Sequence, residues 1–267
     1  MSNPTDAFQQ RADEVVRRRP LALMAWGDLA RGEGAGARPE MAGALRIGTL
    51  RYEQRATGRP LRLPATVGHT ESARHLLLAR PPALADRASS LLNALALRFV
   101  LARDASQQVL VVDEFEDTRR IPPALRALPE RVQTFAPGYI DNWLQDREGA
   151  SPLVVVHATR FEGAADYDDE AYNAFGPRAL AALVDRLRAR DPADAQFALA
   201  FDPSDPHHPV QRAFEDATVP AVRVRLAADP AGDAYDGAAY ANLALRFTAD
   251  AYPPEDLVTE LLATAAP

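Results

Sequence analysis

The loop Asp202-Pro-Ser-Asp205-Pro-His207-His208 gathers two carboxyl groups and two imidazoles within a few residues. Carboxylate oxygen and imidazole nitrogen are donors for a divalent metal, so Asp202, Asp205, His207 and His208 form a candidate metal site. The same residue types serve an exposed turn built on Pro203, Pro206 and Pro209, and they can cap a helix that starts at Pro209. A second acidic feature is Val111-Val112-Asp113-Glu114, a strand that ends in two carboxylates. Such a pair can order magnesium and water. It also opens the acidic stretch Asp113 to Asp117, which suits a solvated strand end. Glu162, Asp166, Asp168, Asp169 and Glu170 form a further acidic cluster that fits a hydrated loop. No serine stands in a G-x-S-x-G elbow, and His69 and His75 have no catalytic partner at a suitable spacing.

All 30 basic residues are arginine, and the chain contains neither lysine nor cysteine. Disulfides and thiolate metal sites are therefore excluded. The net charge of −7 argues against a strongly basic DNA-binding surface, because affinity for phosphates rests on counterion release. The densest basic run, Arg17-Arg18-Arg19, fits the solvated end of a helix. With 267 residues, 47% of them apolar, the chain can bury a full core. It has no apolar run long enough to span a membrane and no secretory layout at its amino end, so a cytoplasmic protein is expected.

The hydrophobic pattern divides the chain in two. Residues 1–70 read as a small α+β lead-in: a helix over Asp6–Arg19, stopped by Pro20, then strands over Leu45–Gln54 and Leu61–Leu63. Residues 71–267 alternate strand and helix. Strands are expected at His75–Ala79, Val109–Val112, Val132–Ala136, Leu153–Val156, Phe197–Phe201, Val222–Leu226 and Leu243–Phe247. Helices are expected at Ser89–Arg103, Pro122–Leu128, Tyr139–Asp146, Pro177–Arg190, Pro209–Asp216 and Pro254–Ala263. Continuous apolar strands between amphipathic helices predict an α/β fold, a mainly parallel sheet with helices on both faces. The arginines alternating along Val222–Leu226 and Leu243–Phe247 place those strands nearer an edge.

The order Leu45-Arg-Ile-Gly48, Thr57-Gly-Arg-Pro60-Leu-Arg-Leu63, His75-Leu-Leu-Leu-Ala79, Leu91-Leu-Asn-Ala-Leu95 resembles the entry to the ATPase core of FtsK-like and HerA-like DNA translocases. The resemblance runs in order from about Leu45 to Pro203. It implies a RecA-like, P-loop three-layer sandwich. It places a phosphate-binding loop between the His75 strand and the next helix, and a Walker B strand at Pro152–Ala158. At the loop position stand Arg80, Pro81, Pro82, Arg87, Ser89 and Ser90, without glycine or lysine. A working loop needs glycine so that backbone N–H groups close around phosphate, and lysine for the outer phosphates. At the Walker B position His157-Ala158 replaces the acid pair. The resemblance with these departures implies a pseudo-ATPase: no cofactor, no catalytic residue of its own, and a scaffold or adaptor role in a larger DNA-processing, defence or secretion assembly, beside other protein subunits that include an active ATPase. Direct nucleic-acid binding would be weak or indirect. Arg160, Arg178 and Arg186 are candidates to serve a neighbouring subunit. The alternative is a metal-dependent α/β hydrolase using Asp202, Asp205 and His207.

Overall fold

The computed structural model describes residues 4–18, 20–31, 43–53, 60–68, 70–112, 120–159, 177–189, 193–204, 206, 208–237 and 245–265. In chain order the elements are α1 (Pro4–Arg18), α2 (Pro20–Leu23), α3 (Trp26–Ala30), β1 (Leu45–Glu53), β2 (Pro60–Val67), β3 (His75–Ala79), α4 (Ala85–Ala102), β4 (Val109–Val112), α5 (Pro123–Arg126), β5 (Val132–Phe135), α6 (Pro137–Gln145), β6 (Leu153–Thr159), α7 (Pro177–Arg188), β7 (Gln196–Phe201), α8 (Pro209–Glu215), β8 (Ala221–Arg225), β9 (Ala234–Asp236), β10 (Arg246–Ala249) and α9 (Glu255–Ala265).

Seven strands form the main sheet in the order β5-β4-β6-β7-β3-β8-β9. All neighbours are parallel except β8 and β9. The sequence requires this arrangement. β3, β4 and β7 are buried at every residue, so both faces must be covered. Alternate residues then feed two separate cores, because strand side chains point to opposite faces. Leu76, Leu78, Val109, Val111, Val155 and Ala198 face one core. Leu77, Ala79, Leu110, Val154, Phe197 and Leu199 face the other, against α6, α7 and α8.

On the first face lies α4, whose 18 residues are buried nearly all round from Leu91 to Ala102. A helix apolar on every side needs cover on every side. The main sheet supplies one side. The other is supplied by a three-stranded antiparallel sheet, in the order β10-β1-β2. In β2 exposed and buried residues alternate, as expected of a strand with one wet face. β1 and β2 slip register between Arg46 and Gly48, and a Cβ at Gly48 would lie 2.3 Å from the Thr248 carbonyl oxygen. Glycine here permits close pairing with β10.

A buried ion cluster pins this layer. The Asp250 carboxylate accepts from Arg98 at 3.1 Å and from Arg46 at 3.0 Å. Arg98 is fully buried, donates also to the Leu21 carbonyl at 3.2 Å, and stacks 3.8 Å from the Trp26 ring. Burial lowers its pKa to about 10, against the opposing pull of Asp250. It remains a cation at neutral pH.

Three differences from the sequence reading have physical reasons. α4 begins at Ala85 rather than Ser89, because a 3-10 turn over Pro82–Leu84 feeds directly into it. The final strand is displaced to Arg246–Ala249, where it pairs with β1 in the small sheet. The antiparallel β9 was not expected, since three residues carry no readable period; Tyr235 within it donates to the Thr66 carbonyl at 3.0 Å and stacks on Phe247, tying the two sheets together.

Candidate functional site

The chain skips two sheet positions in passing from β3 to β4, and turns the other way to reach β8. In an open α/β sheet such a reversal leaves a crevice beyond the carboxyl ends of the strands. A cavity of about 400 Å³ lies there. Arg80 follows β3, and Asp86, Ser89, Ser90 and Asn93 project from the first turns of α4. His157 comes from the end of β6, Arg120 from the segment before α5, and Tyr252 from the segment before α9. The α4 residues recur at i, i+3, i+4 and i+7, one face of a helix.

The turn that carries Arg80 is short of free amide donors. The Arg80 N–H donates to the Phe201 carbonyl at 3.0 Å, and the Leu84 N–H to the Pro81 carbonyl at 2.9 Å. The Ala85 N–H donates to the Pro82 carbonyl. Pro81 and Pro82 have no N–H. No side chain caps α4.

His157 sits where β6 and β7 lose register, between Val156 and Thr159. Such an irregularity re-aims a side chain. The ring is 2% exposed, and among the described residues neither nitrogen has a hydrogen-bond partner. Burial pulls its pKa down to about 4, with smaller contributions from Arg120 and Arg80. It is therefore a neutral imidazole at pH 7. Burial, and then Glu255, raise the Tyr252 phenol, which stays protonated. The Tyr252 N–H donates to Ser90 Oγ at 2.8 Å, and Asn93 Nδ2 donates to the Arg120 carbonyl at 2.8 Å. Neither the imidazole nor the phenol exchanges a proton near neutrality, so neither suits general acid–base work there.

The structure brings Arg80, Ser89, Ser90 and His157 into one cavity. Arg87 points elsewhere. It donates to the Ala227 carbonyl at 2.8 Å and pairs with the fully buried carboxylate of Asp233. Ala158 lies within β6, beside His157. Arg120, Asn93 and Tyr252 were not singled out from the sequence. Arg120 and Tyr252 arrive from segments far from the β3–α4 unit, and no local motif marks them.

The Asp202–His208 loop is divided. Asp202 Oδ1 accepts from the Ser204 N–H at 2.9 Å, a local turn. His208 is buried, stacks on Phe201, and its Nδ1 accepts from the Val210 N–H at 3.1 Å, capping α8. Asp205 and His207 lie outside the described residues, as do Asp113, Glu114, Arg160, His69 and the acidic residues from Glu162 to Glu170. Arg186 pairs with Asp141 at 2.8 Å; nothing is described of the Arg178 side chain.

No protein-family model matches the chain, and no curated protein matches its sequence. Solved structures do match. The conjugation coupling protein TcpA of pCW3, in its monomer form with ATPγS, superposes with a TM-score of 0.53 at 11% identity, over 85% of this chain and 72% of that one. EssC (ATPases 2 and 3) from Geobacillus thermodenitrificans superposes at 0.51 and 11% identity, over 85% of this chain. The fold is the RecA-like one these structures share, a seven-stranded, mostly parallel sheet flanked by helices. The present chain spans half the length of the EssC structure. On the RecA-like sheet, the cavity at Arg80 lies beyond the strand whose exit turn leads into the first core helix. Among the described residues no helix is long and apolar enough to cross a membrane.

Proposed function

We propose that this chain is a non-catalytic RecA-like subunit of a larger secretion or DNA-transfer assembly, a scaffold or adaptor for protein partners that include an active ATPase. The observation that carries this reading is the exit turn of β3. A phosphate loop offers its ligand a ring of backbone N–H groups. Here Pro81 and Pro82 have none, and the N–H groups of Arg80, Leu84 and Ala85 already donate to carbonyls. The lysine that would reach the outer phosphates is missing from the whole chain. His157, neutral and buried, stands at the position the resemblance gives to the metal-ordering acids, and a neutral imidazole sharing its cavity with Arg80 and Arg120 is a poor seat for magnesium. Both halves of the nucleotide chemistry are thus missing from the same cavity.

The setting supports a role in an assembly. TcpA is a conjugation coupling protein, and the EssC structure holds two ATPase domains in one chain, of which this chain matches half. A domain without its own turnover can keep the interfaces of such an array.

Thermal unfolding of the full chain with and without magnesium–ATP, read beside a phosphate-release assay, tests this. Binding to the folded state raises the melting temperature by mass action. The expected result is no shift and no phosphate release. A clear ATP-dependent shift or measurable turnover would end the reading.

A further inference from the structure

At the opposite, amino-terminal end of the main sheet lies a second cavity, of about 360 Å³. It sits on the seam between the two sheets, the kind of place where small-molecule sites form. Its lining charges are balanced: Arg74 and Arg103 face Glu71 and Asp194. Arg74 donates to Asp194 Oδ1 at 2.7 Å and lies 3.6 Å from Glu71. A cationic ligand would meet carboxylates already paired with Arg74, and an anionic one would meet an Arg74 already engaged.

Two buried amide atoms in this cavity are unmet. Gln196 is 8% exposed, and its Nε2 has no partner among the described residues. The same holds for Gln107 Oε1. A buried polar atom left unmet is costly, and native structures keep few of them. One is a donor and the other an acceptor. Gly68, with φ of +76°, lets its backbone lie close to both the Gly43 carbonyl and the Gln196 amide. A Cβ there would lie 3.0 Å from Gln196 Nε2 and 2.4 Å from the Gly43 carbonyl oxygen, so a side chain would fill the space in front of the amide. Two non-glycine residues on this cavity, Ser151 (φ 49°) and Asp194 (φ 56°), also adopt the left-handed region. They are held there by a Ser151 N–H bond to the Ala193 carbonyl at 2.8 Å and by Ser151 Oγ donating to Asp194 Oδ2 at 3.2 Å. Strain of this kind collects at ligand sites. The Phe99 ring, with the Arg103 guanidinium 5.6 Å over it, adds a flat wall.

We propose that this cavity binds a small, uncharged, planar ligand by its amide edge, with a ligand carbonyl accepting from Gln196 Nε2 and a ligand N–H donating to Gln107 Oε1. Two sources share that chemistry: the lactam of a nucleobase and a primary carboxamide on an aromatic ring. The inference goes beyond the scaffold role and does not depend on it, since the site uses none of the residues around Arg80.

Uracil and nicotinamide are the probes for the two sources, titrated into the full chain by calorimetry and by saturation-transfer NMR, with benzoate and benzamidine as charged comparators. The expected result is one-site binding of at least one amide, with both charged molecules weaker by roughly tenfold. Binding of one amide but not the other identifies the source. Gln196→Leu and Gln107→Leu each weaken the amide by roughly tenfold, since each deletes one hydrogen bond and leaves a ligand group unmet. Asp86→Asn, at the other end of the sheet, leaves it unchanged. If one glutamine variant fails to fold, the other decides. The proposal is overturned if neither amide shows binding at concentrations up to about 10 mM. It is equally overturned if the charged molecules bind as tightly, or if a folded glutamine variant binds as the wild type does.

Discussion

Asp250 holds two guanidinium groups at once, and one of them, on Arg98, has no exposure to water. Removing the carboxylate leaves two desolvated cations without a counter-charge. Asp250→Ala should therefore cost about 3–5 kcal/mol, the range for breaking a buried ion pair from one side. Urea unfolding measures this, and a loss below about 1 kcal/mol would mean the cluster is wetter than described. Two of the buried histidines act in the other direction. His157 and His75 have pKa values pulled down to about 4 and about 3, chiefly by burial, with Arg74 adding to His75. The unfolded chain therefore binds more protons than the fold does as pH drops below 6.5, so stability rises with pH through that window and levels off above it. His157→Gln should gain on the wild type by roughly 3 kcal/mol between pH 7 and pH 4, because the glutamine has no proton to take up. A difference between the two proteins that does not change with pH would refute this.

At the level of elements, the join between β1 and β10 rests on one missing side chain. A methyl group at Gly48 would sit 2.3 Å from the Thr248 carbonyl oxygen and 2.5 Å from the Phe247 ring. Gly48→Ala should push β10 off β1 at a cost of about 1–3 kcal/mol, the usual range for overpacking. The change should be local first. Amide exchange at Phe247 and Ala249 should speed up while the β3 and β7 amides keep their protection. Equal protection of β10 in both proteins would show that the strand tolerates the methyl group. The same element logic separates Arg87 from the cavity. Asp86, Ser89, Ser90 and Asn93 share one face of α4, and Arg87 lies about 100° round from Asp86, toward Asp233.

For the molecule as a whole, α4 is the shared layer. It fills the space between the small sheet and the main sheet, and the core cluster around it draws on both. The segment from Arg246 onward supplies β10, Asp250, Tyr252 and α9 together. Ending the chain at Leu245 would strip the small sheet of its third strand, Arg98 of its counter-ion and the Arg80 cavity of one wall. The truncated chain should lose its cooperative unfolding transition and its near-ultraviolet circular dichroism. A single sharp transition close to that of the full chain would show that the main sheet folds without this segment.

The type and order of the elements were legible because burial on two faces leaves a mark that needs no tertiary knowledge. Leu76–Ala79, Val109–Val112 and Phe197–Phe201 are apolar without a break, which suits a strand covered on both sides. The helices between them follow from period and from proline stops. The order of strands in the sheet, the three-residue β9, and the return of residues 246–249 to pair with β1 are long-range choices. They depend on which surfaces fit once α4 is buried. The cavity divides the same way. Arg80, Ser89, Ser90 and His157 could be named because the family resemblance assigns those positions to its phosphate loop and Walker B strand. Arg120 and Tyr252 could not, since chain distance says nothing about which loops converge at one sheet edge. Sequence carries local burial; convergence is decided by packing.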